Sequence, residues 1–254
     1  MLELQSVHKY FGGLHAVDEV SFRVPQGAIK AVIGPNGAGK TTLFNLIAGV
    51  LPTTSGSIAF KGSPINGLKP HCIAALGMSR TFQNIKLCHG MTALENVMLG
   101  RHTRSSAGLL AGMLNLPRTW REEKEIRCRA FELLEMLDIG EFADVEATSL
   151  AFGQQRAVEM ARALATEPEL LLLDEPAAGL NIYETAEVAR LISRIRDMGI
   201  TVLLVEHDLS LVMDISDEIV VLSFGAKIAE DRPEAIQKNP EVIRIYLGET
   251  EEAA

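Results

Sequence analysis

The sequence predicts an α/β fold built around a mostly parallel sheet. Two short runs, Leu170–Leu173 and Val202–Val205, consist entirely of apolar residues, and stretches with helical spacing follow them. Strands that are apolar on both faces are covered on both faces, as in parallel sheets whose strands are joined through helices. A helical block from about residue 90 to residue 165 interrupts this alternation. It predicts a helical subdomain inserted into one domain that spans residues 1–254.

The composition is that of a globular protein. Hydrophobic residues make up 47% of the 254 residues and charged residues 22%, which argues against disorder. Since 33 acidic residues outnumber 24 basic ones, the net charge is −9, and we expect no nucleic-acid partner, which would need a basic face. No run approaches the ~20 apolar residues of a membrane span. The first ten residues also lack the charged-then-apolar order of a secretory signal.

The three cysteines, Cys72, Cys88 and Cys128, form no CxxC pair. Two of them adjoin a histidine, but their spacing fits no common zinc pattern. We interpret them as reduced thiols of a cytosolic chain.

The first third of the chain is predicted to form strands that are separated by glycine- and proline-containing turns. Partial alternation or β-branched enrichment predicts strands over Leu2–Val7, Val17–Val24, Ala28–Ile33 and Ser57–Lys61. A helix is predicted from about Lys40 to Gly49.

The inserted block begins with a capping-box pattern, Thr92 and Glu95, ahead of a helix. The stretch Arg101–Pro117 is rich in Gly, Ser and Leu and predicts a loop with short helical pieces. Apolar residues at helical spacing then predict a helix over Trp120–Leu137.

The last third returns to alternating strands and helices. Asn181 and Glu184 are expected to cap a helix, and strands are predicted over Thr201–Val205 and Glu218–Leu222, with a helical tail from Pro233. The inner face of the capped helix is expected to carry Val188, Leu191, Ile192 and Ile195.

A phosphate-binding loop connects the third strand to the first helix. The run from Gly34 to Thr41 fits GxxxxGK[ST], and Gly34, Gly37 and Gly39 allow positive φ and let backbone N–H groups approach phosphate oxygens. The helix dipole favours anions at this end, Lys40 should reach the β- and γ-phosphates, and the Thr41 hydroxyl should ligate Mg²⁺. The predicted nucleotide-binding residues are Gly34, Pro35, Asn36, Gly37, Ala38, Gly39, Lys40, Thr41 and Thr42.

Two adjacent acids follow the buried strand Leu170–Leu173. The strand carries Asp174 to the carboxyl edge of the sheet, where open α/β sheets bind ligands. Asp174 can hold Mg²⁺ there directly or through water, and Glu175 can accept a proton from the attacking water.

Between these two motifs lies Leu150-Ala-Phe-Gly-Gln154, which resembles the LSGGQ signature of ATP-binding-cassette (ABC) ATPases. The resemblance covers nearly the whole chain. It implies the ABC ATPase fold, in which the nucleotide-binding core carries an N-terminal antiparallel β subdomain and the inserted helical subdomain. From the residues themselves, Gly153 is expected to precede a helix over Gln154–Ala165 whose first N–H groups face outward.

In the family, this helix end contacts the γ-phosphate held by a second cassette in a head-to-tail dimer, which assigns that role to Ala151, Gly153 and Gln154 here. Ala151 replaces the usual serine and removes one hydroxyl contact, typically worth ~1 kcal/mol. Asn181 stands where the family usually has aspartate in the D-loop, which leaves the detail of communication across the dimer open.

The resemblance also implies roles for single residues. Gln83 resembles the Q-loop glutamine that senses Mg²⁺ and links the two subdomains, and His207 resembles the switch histidine that contacts the γ-phosphate. Phe11 matches the aromatic residue that stacks on adenine, and Tyr10 is the competing choice. ATP and Mg²⁺ are therefore the expected cofactors.

Within the superfamily, the sequence is similar to the ATPase of branched-chain, hydrophobic amino-acid uptake systems. The similarity lies in Arg80–Gln83 with Gly90–Val97, in the long stretch Arg101–Glu125, and in the ending Asn239–Gly248. The resemblance implies transmembrane permease subunits, a second ATPase subunit of the same or a related kind, and, indirectly, a substrate-binding protein. It also implies a peripheral position on the cytoplasmic face of the cell membrane.

Other functions remain open at this point. The ATPases of urea uptake and of lipopolysaccharide export are close relatives of the same type. A soluble cassette of DNA repair or translation usually carries a long coiled-coil arm, for which too few residues separate Gln83 from Gly153. A binder that does not hydrolyse ATP is disfavoured because Asp174, Glu175 and His207 are all present.

Overall fold

The computed structural model describes residues 1–81, 83, 85–101 and 117–248, without the side chains of residues 117–121 and 247–248. The chain divides into two compact units, one formed by residues 1–80 and 169–254 and the other by residues 81–168. Nearly all of the loop predicted over Arg101–Pro117 lies outside the described residues.

The strands and helices follow in chain order. The strands are β1 (Leu2–Phe11), β2 (Leu14–Val24), β3 (Ile29–Ile33), β4 (Ser55–Phe60), β5 (Ser63–Pro64), β6 (Met78–Arg80), β7 (Leu170–Asp174), β8 (Thr201–Val205), β9 (Glu218–Ser223) and β10 (Ala226–Asp231). The helices are α1 (Lys40–Ile47), α2 (Pro70–Ala75), α3 (Ala93–Arg101), α4 (Pro117–Met136), α5 (Phe152–Leu164), α6 (Ile182–Asp197), α7 (Leu209–Ile215), α8 (Pro233–Ile236) and α9 (Pro240–Gly248).

The first unit contains two sheets. Six strands form the larger sheet in the order β10-β9-β3-β8-β7-β6, and only β10 runs antiparallel to its neighbour. The smaller sheet, β2-β1-β4-β5, is antiparallel throughout. The predicted mostly parallel sheet and N-terminal antiparallel sheet are both confirmed.

The parallel strands are buried on both faces. All residues of β3, β7 and β8 are buried, including the four leucines of Leu170–Leu173. Each fully buried leucine contributes ~1.5–3 kcal/mol through the apolar surface that it removes from water. Val205 pairs with both Val32 and Asp174, so the loops after β3, β7 and β8 leave the sheet at the same edge.

Several element bounds differ from the predictions. β1 continues to Phe11 and β2 begins at Leu14, so the glycine pair between them is a two-residue hairpin turn in which Gly12 has a φ of 59°. The segments β5, α2, β6 and α7 have between two and seven residues, which is too short for a clear periodicity. β10 is half-buried along its length and is held by pairing with β9, which its own sequence does not indicate.

The second unit consists mainly of helices α3, α4 and α5. The predicted capping box before α3 is confirmed, because Thr92 N–H donates to Glu95 Oε2 (2.8 Å) and Glu95 N–H donates to Thr92 Oγ1 (3.1 Å). A Cβ on Gly100 would lie 2.2 Å from the carbonyl oxygen of Arg162, so glycine permits the close contact of α3 with α5. The buried residues on and just after α4 follow the predicted spacing: Ala130, Leu133, Leu134 and Leu137.

Candidate active site

The loop between β3 and α1 encloses a buried ammonium group. Gly39, with a φ of 97°, precedes Lys40, the first residue of α1. The Lys40 side chain folds back, and its Nζ donates to the carbonyl oxygens of Gly34 (2.5 Å) and Pro35 (2.9 Å). A fixed cation at the start of a helix is suited to bind a phosphate.

The three glycines of this loop are required for two different reasons. A Cβ on Gly34 would lie 2.1 Å from the carbonyl oxygen of Leu222, and a Cβ on Gly39 would lie 2.3 Å from that of Ala16. Packing against the chain itself therefore excludes a side chain at these two positions. A Cβ on Gly37 would meet no atom within 4 Å, so only its φ of 80° favours glycine.

The start of α1 is open to an anion. Asn36, Gly37 and Thr41 are exposed, and Thr42 is half-buried. The first turn of α1 has no acidic residue and no side-chain cap, so no side chain of the cap competes with an anion for its amides.

Asp174 ends β7 as a buried carboxylate. Its Oδ2 accepts a hydrogen bond from Nη2 of Arg80 at 2.7 Å, while Nη1 of Arg80 donates to Oδ1 of Asn45 on α1, also at 2.7 Å. The carboxylate of Asp174 and the hydroxyl of Thr41 are hard oxygen donors, which suit Mg²⁺ held with phosphate oxygens and water. Among the described residues no group of three or more His, Cys, Asp and Glu could hold a metal ion by itself. The donor set therefore fits Mg²⁺ bound together with a nucleotide.

Glu175 and His207 lie on neighbouring loops. The backbone of Glu175 is left-handed, with a φ of 48°, and its N–H donates to the carbonyl oxygen of Val205 on β8 at 2.9 Å. The Glu175 side chain reaches the loop after β8, where its Oε1 lies 3.9 Å from Nδ1 of His207. The imidazole is more than half exposed, whereas the carboxylate is mostly buried. The structure brings the predicted base and the predicted switch histidine together.

A second buried carboxylate, Glu206, supports this pair. Its Oε1 accepts from the N–H of Ala177 (2.8 Å), and its Oε2 accepts from the N–H groups of His207 (3.0 Å) and Asp208 (3.4 Å). Burial raises the pKa of Glu206, and these backbone donors oppose part of that rise. Glu206 therefore ties the loop after Glu175 to the loop that carries His207.

The two aromatic candidates at the end of β1 differ in their surroundings. The Tyr10 ring stacks on the His15 ring at a centroid distance of 4.1 Å, and its hydroxyl bonds Nδ1 of His8 at 2.8 Å. Phe11 is 47% exposed, with Nζ of Lys9 4.9 Å from its ring centroid. Phe11 is therefore the more exposed of the two rings, whereas Tyr10 is half-buried.

Gln83 and the signature residues belong to the second unit. Gln83 is exposed, and its carbonyl oxygen accepts from Nη2 of Arg156 at 3.1 Å. Helix α5 begins at Phe152 with Ala151 as its N-cap, so Gly153 lies inside the first turn and not before the helix as predicted. Gln154 Oε1 accepts from the N–H of Ala151 at 3.0 Å, but the alanine side chain cannot accept a bond in return. Half of a capping box is therefore missing.

Asn181, the D-loop departure, serves as the N-cap of α6. Its Oδ1 accepts from the N–H groups of Tyr183 (2.9 Å) and Glu184 (3.1 Å), and Glu184 Oε2 accepts from the N–H of Asn181 (2.9 Å). The predicted cap is confirmed. Of the predicted inner face, Leu191 is only half-buried and the other three residues are buried.

Sequence reasoning missed two residues of this site, Arg80 and Glu206. Glu206 directly follows the apolar run Val202–Val205, just as Asp174, which the sequence did single out, directly follows the run Leu170–Leu173. Arg80 ends a strand of three residues, too short to be recognised, so nothing in the sequence placed it beside Asp174.

Comparison with known proteins places the chain among transport ATPases. The ABC transporter family matches residues 17–178, and the branched-chain amino acid ATP-binding cassette transporter family matches residues 226–252. The high-affinity branched-chain amino acid transport ATP-binding protein BraF of Pseudomonas aeruginosa is 46% identical over 250 residues, 98% of each chain. LivG of Escherichia coli, also a high-affinity branched-chain amino acid transport ATP-binding protein, is 44% identical over 250 residues, again 98% of each chain.

Solved structures agree with this. An ATP-binding cassette of an ABC transporter in its ADP conformation has a TM-score of 0.85 and 33% identity, and the match covers 98% of each chain. A dimeric bacterial ABC transporter cassette has a TM-score of 0.77 and 27% identity, over 92% of this chain and 99% of that one. In the part of this chain that the structure describes, no helix is both long and apolar enough to cross a bilayer.

Proposed function

Because this chain belongs to the ABC transporter family of ATP-binding subunits, we propose that it powers an importer of branched-chain, hydrophobic amino acids. The chain is an ABC ATPase with a nucleotide-binding site. One observation carries the catalytic part of the proposal. The loop around Lys40, the carboxylate of Asp174, and the pair Glu175 and His207 follow three parallel strands that end at one edge of the sheet.

We assign the steps of hydrolysis to residues of this edge. The amides of the loop from Gly34 to Thr42 and the ammonium of Lys40 bind the phosphates. Glu175 takes the proton of the attacking water, because its carboxylate is mostly buried and faces the loop of His207. His207 contacts the γ-phosphate, and Phe11 stacks on adenine.

Thr41, Asp174 and Gln83 would hold Mg²⁺ in this proposal. Bound Mg²⁺ would neutralise charge on the phosphates and orient them. Thr41 and Asp174 supply oxygen ligands from the first turn of α1 and the end of β7. Gln83 would also sense the bound Mg²⁺.

The proposed substrate class follows from the relatives and from the tail. BraF and LivG are named for high-affinity branched-chain amino acid transport, and residues 226–252 match the family of that description. This combination favours amino-acid uptake over the urea-uptake and lipopolysaccharide-export alternatives. It also disfavours a soluble repair or translation role, for which a nucleic-acid partner would be expected.

We further propose the partners. Transport requires membrane permease subunits, and a dimeric cassette among the similar structures supports pairing of two ATPase subunits. In such a pair, Ala151, Gly153 and Gln154 of one chain would contact the nucleotide held by Lys40 of the other. The second subunit would be identical or related, and a substrate-binding protein would act through the permease. The chain would sit peripherally on the cytoplasmic face of the membrane.

The catalytic assignment is tested by Glu175→Gln. We expect steady ATP hydrolysis with Mg²⁺ to fall at least ~10²-fold, the usual contribution of a general base. Light scattering should show that the variant forms a dimer with ATP. Glu187→Gln, which changes an exposed glutamate of α6, is the matched control and should hydrolyse ATP at the wild-type rate. Unchanged turnover in the Glu175 variant would remove Glu175 as the base.

The transport assignment is tested by purification from membranes of the source organism. We expect the tagged chain to bring down a permease, and uptake of radiolabelled leucine into cells should stop when Glu175 is replaced by glutamine. Recovery of a permease that transports urea would contradict the proposed substrate class. Continued leucine uptake in cells that carry the Glu175→Gln variant would contradict it as well.

A further inference from the structure

Arg80 joins the helix of the phosphate-binding loop to the carboxylate of Asp174. One guanidinium nitrogen donates to Asn45 on α1 and the other to Asp174 on β7, both at 2.7 Å. The Arg80 side chain is only 11% exposed and that of Asp174 only 4%. The guanidinium carbon also lies 5.9 Å from the ring centroid of Phe44. This is a fixed, largely desolvated ion pair.

A buried carboxylate requires a positive partner that compensates its charge. Arg80 meets this requirement because its planar guanidinium can bond two acceptors, Asn45 and Asp174, in fixed geometry. A divalent cation bound at Asp174 would meet the same requirement and would be repelled by Arg80.

We propose that Arg80 is a positioning residue of the magnesium site that neutralises Asp174 while no divalent cation is bound there. This proposal rests on the proposed nucleotide site. Arg80 thereby holds the carboxylate in place and compensates its charge, which reduces the repulsion between Asp174 and a nucleotide that arrives without metal. Bound Mg²⁺ takes over that neutralising role.

The test compares ADP binding with Mg²⁺ and with EDTA by calorimetry, since ADP avoids turnover during the measurement. In Arg80→Met, metal-free ADP meets an unneutralised carboxylate, whereas Mg²⁺ still neutralises Asp174. We expect the ratio of the Kd in EDTA to the Kd in Mg²⁺ to rise about tenfold, within the usual range of coupling between two ligand sites. A purely structural role for Arg80 would weaken both affinities equally and leave the ratio unchanged, which would overturn the proposal.

Further variants sharpen this readout. Arg80→Lys keeps the charge and should return the ratio most of the way to the wild-type value. In an Asp174→Asn background, adding Arg80→Met should leave ADP affinity in EDTA unchanged, because no carboxylate remains to be neutralised. An equal loss with and without Asp174 would contradict the inference. Arg23→Met, at an exposed arginine that pairs with Glu3, is the control and should not change the ratio.

Two outcomes separate this inference from the proposed function. If Arg80→Met does not fold, Arg80→Gln keeps a hydrogen-bond donor without a charge, and a wild-type ratio in that variant would overturn the proposal. Wild-type protein that binds ADP in neither buffer would refute the proposed function itself. Normal wild-type binding with unchanged ratios in the uncharged variants would refute only the role of Arg80.

Discussion

Replacing Glu206 by glutamine tests how the loops around the proposed catalytic pair are held. The substitution keeps the shape of the side chain but replaces one oxygen with an NH₂ group, which cannot accept a bond. Either the N–H of Ala177 or those of His207 and Asp208 then lose their acceptor. A buried donor left without an acceptor costs ~1–3 kcal/mol. Part of this is recovered because the neutral amide avoids the burial penalty that raises the pKa of Glu206. We expect a net loss of ~1–2 kcal/mol.

Urea unfolding at neutral pH measures this loss, with Glu187→Gln as the exposed control. We also expect slower ATP hydrolysis with little change in nucleotide affinity, because the tethered loops carry the proposed catalytic residues and not the phosphate-binding loop. A stability change no larger than that of the control, with normal turnover, would refute the idea that Glu206 holds these loops.

The pH dependence of the Glu206 variant gives a second readout. The raised pKa means that the folded protein holds the Glu206 proton more tightly than the unfolded chain, whose pKa is near 4.5. The contribution of Glu206 to stability therefore falls as the pH rises from 4.5 through the raised value. Glu206→Gln should lack this fall, and an identical pH profile for both proteins would contradict the assignment.

Three further predictions concern single residues. Phe11→Ala should weaken ATP binding roughly tenfold, within the range found for loss of an aromatic stack on a base. Tyr10→Ala should weaken ATP binding less in the same titration. The reverse order would reassign the stacking residue. Gly34→Ala should destabilise the protein more than Gly37→Ala in urea unfolding. The Cβ of an alanine at position 34 would lie 2.1 Å from a carbonyl oxygen of β9, whereas a Cβ at position 37 meets open space. Equal losses of unfolding free energy in the two variants would contradict this steric argument. Burial alone would raise the pKa of Glu230, but hydrogen bonds from two lysines outweigh burial and lower it. Its contribution to the free energy of unfolding is therefore present above pH 4.5 and is lost on acidification. Glu230→Gln should lose less stability than the wild type below pH 4.5, and an equal loss of stability in both proteins would exclude this role.

Much of the fold could be predicted because its signals are local. The apolar runs Leu170–Leu173 and Val202–Val205 indicate burial on both faces by composition alone. The capping pairs Thr92 with Glu95 and Asn181 with Glu184 lie within one helical turn. The short elements were missed for the opposite reason. A strand of three residues such as β6 carries no periodicity and exists only because β7 pairs with it.

The proposed site divides in the same way. The motifs around Lys40 and Asp174 could be read from the sequence, because their chemistry depends on residue types at fixed spacing along the chain. The start of α5 was placed two residues late, because helix boundaries depend on cap geometry and less on composition.

The sequence alone indicates the family of the chain, its type of sheet and the loop that would bind phosphate. Which charges meet is known only from the folded chain: Arg80 pairs with Asp174 across 94 residues of sequence, and Glu206 accepts from the amide of Ala177 across 29. Ion pairing and burial depend on distance in space, and these distant residues come together because neighbouring parallel strands end at the same edge of the sheet.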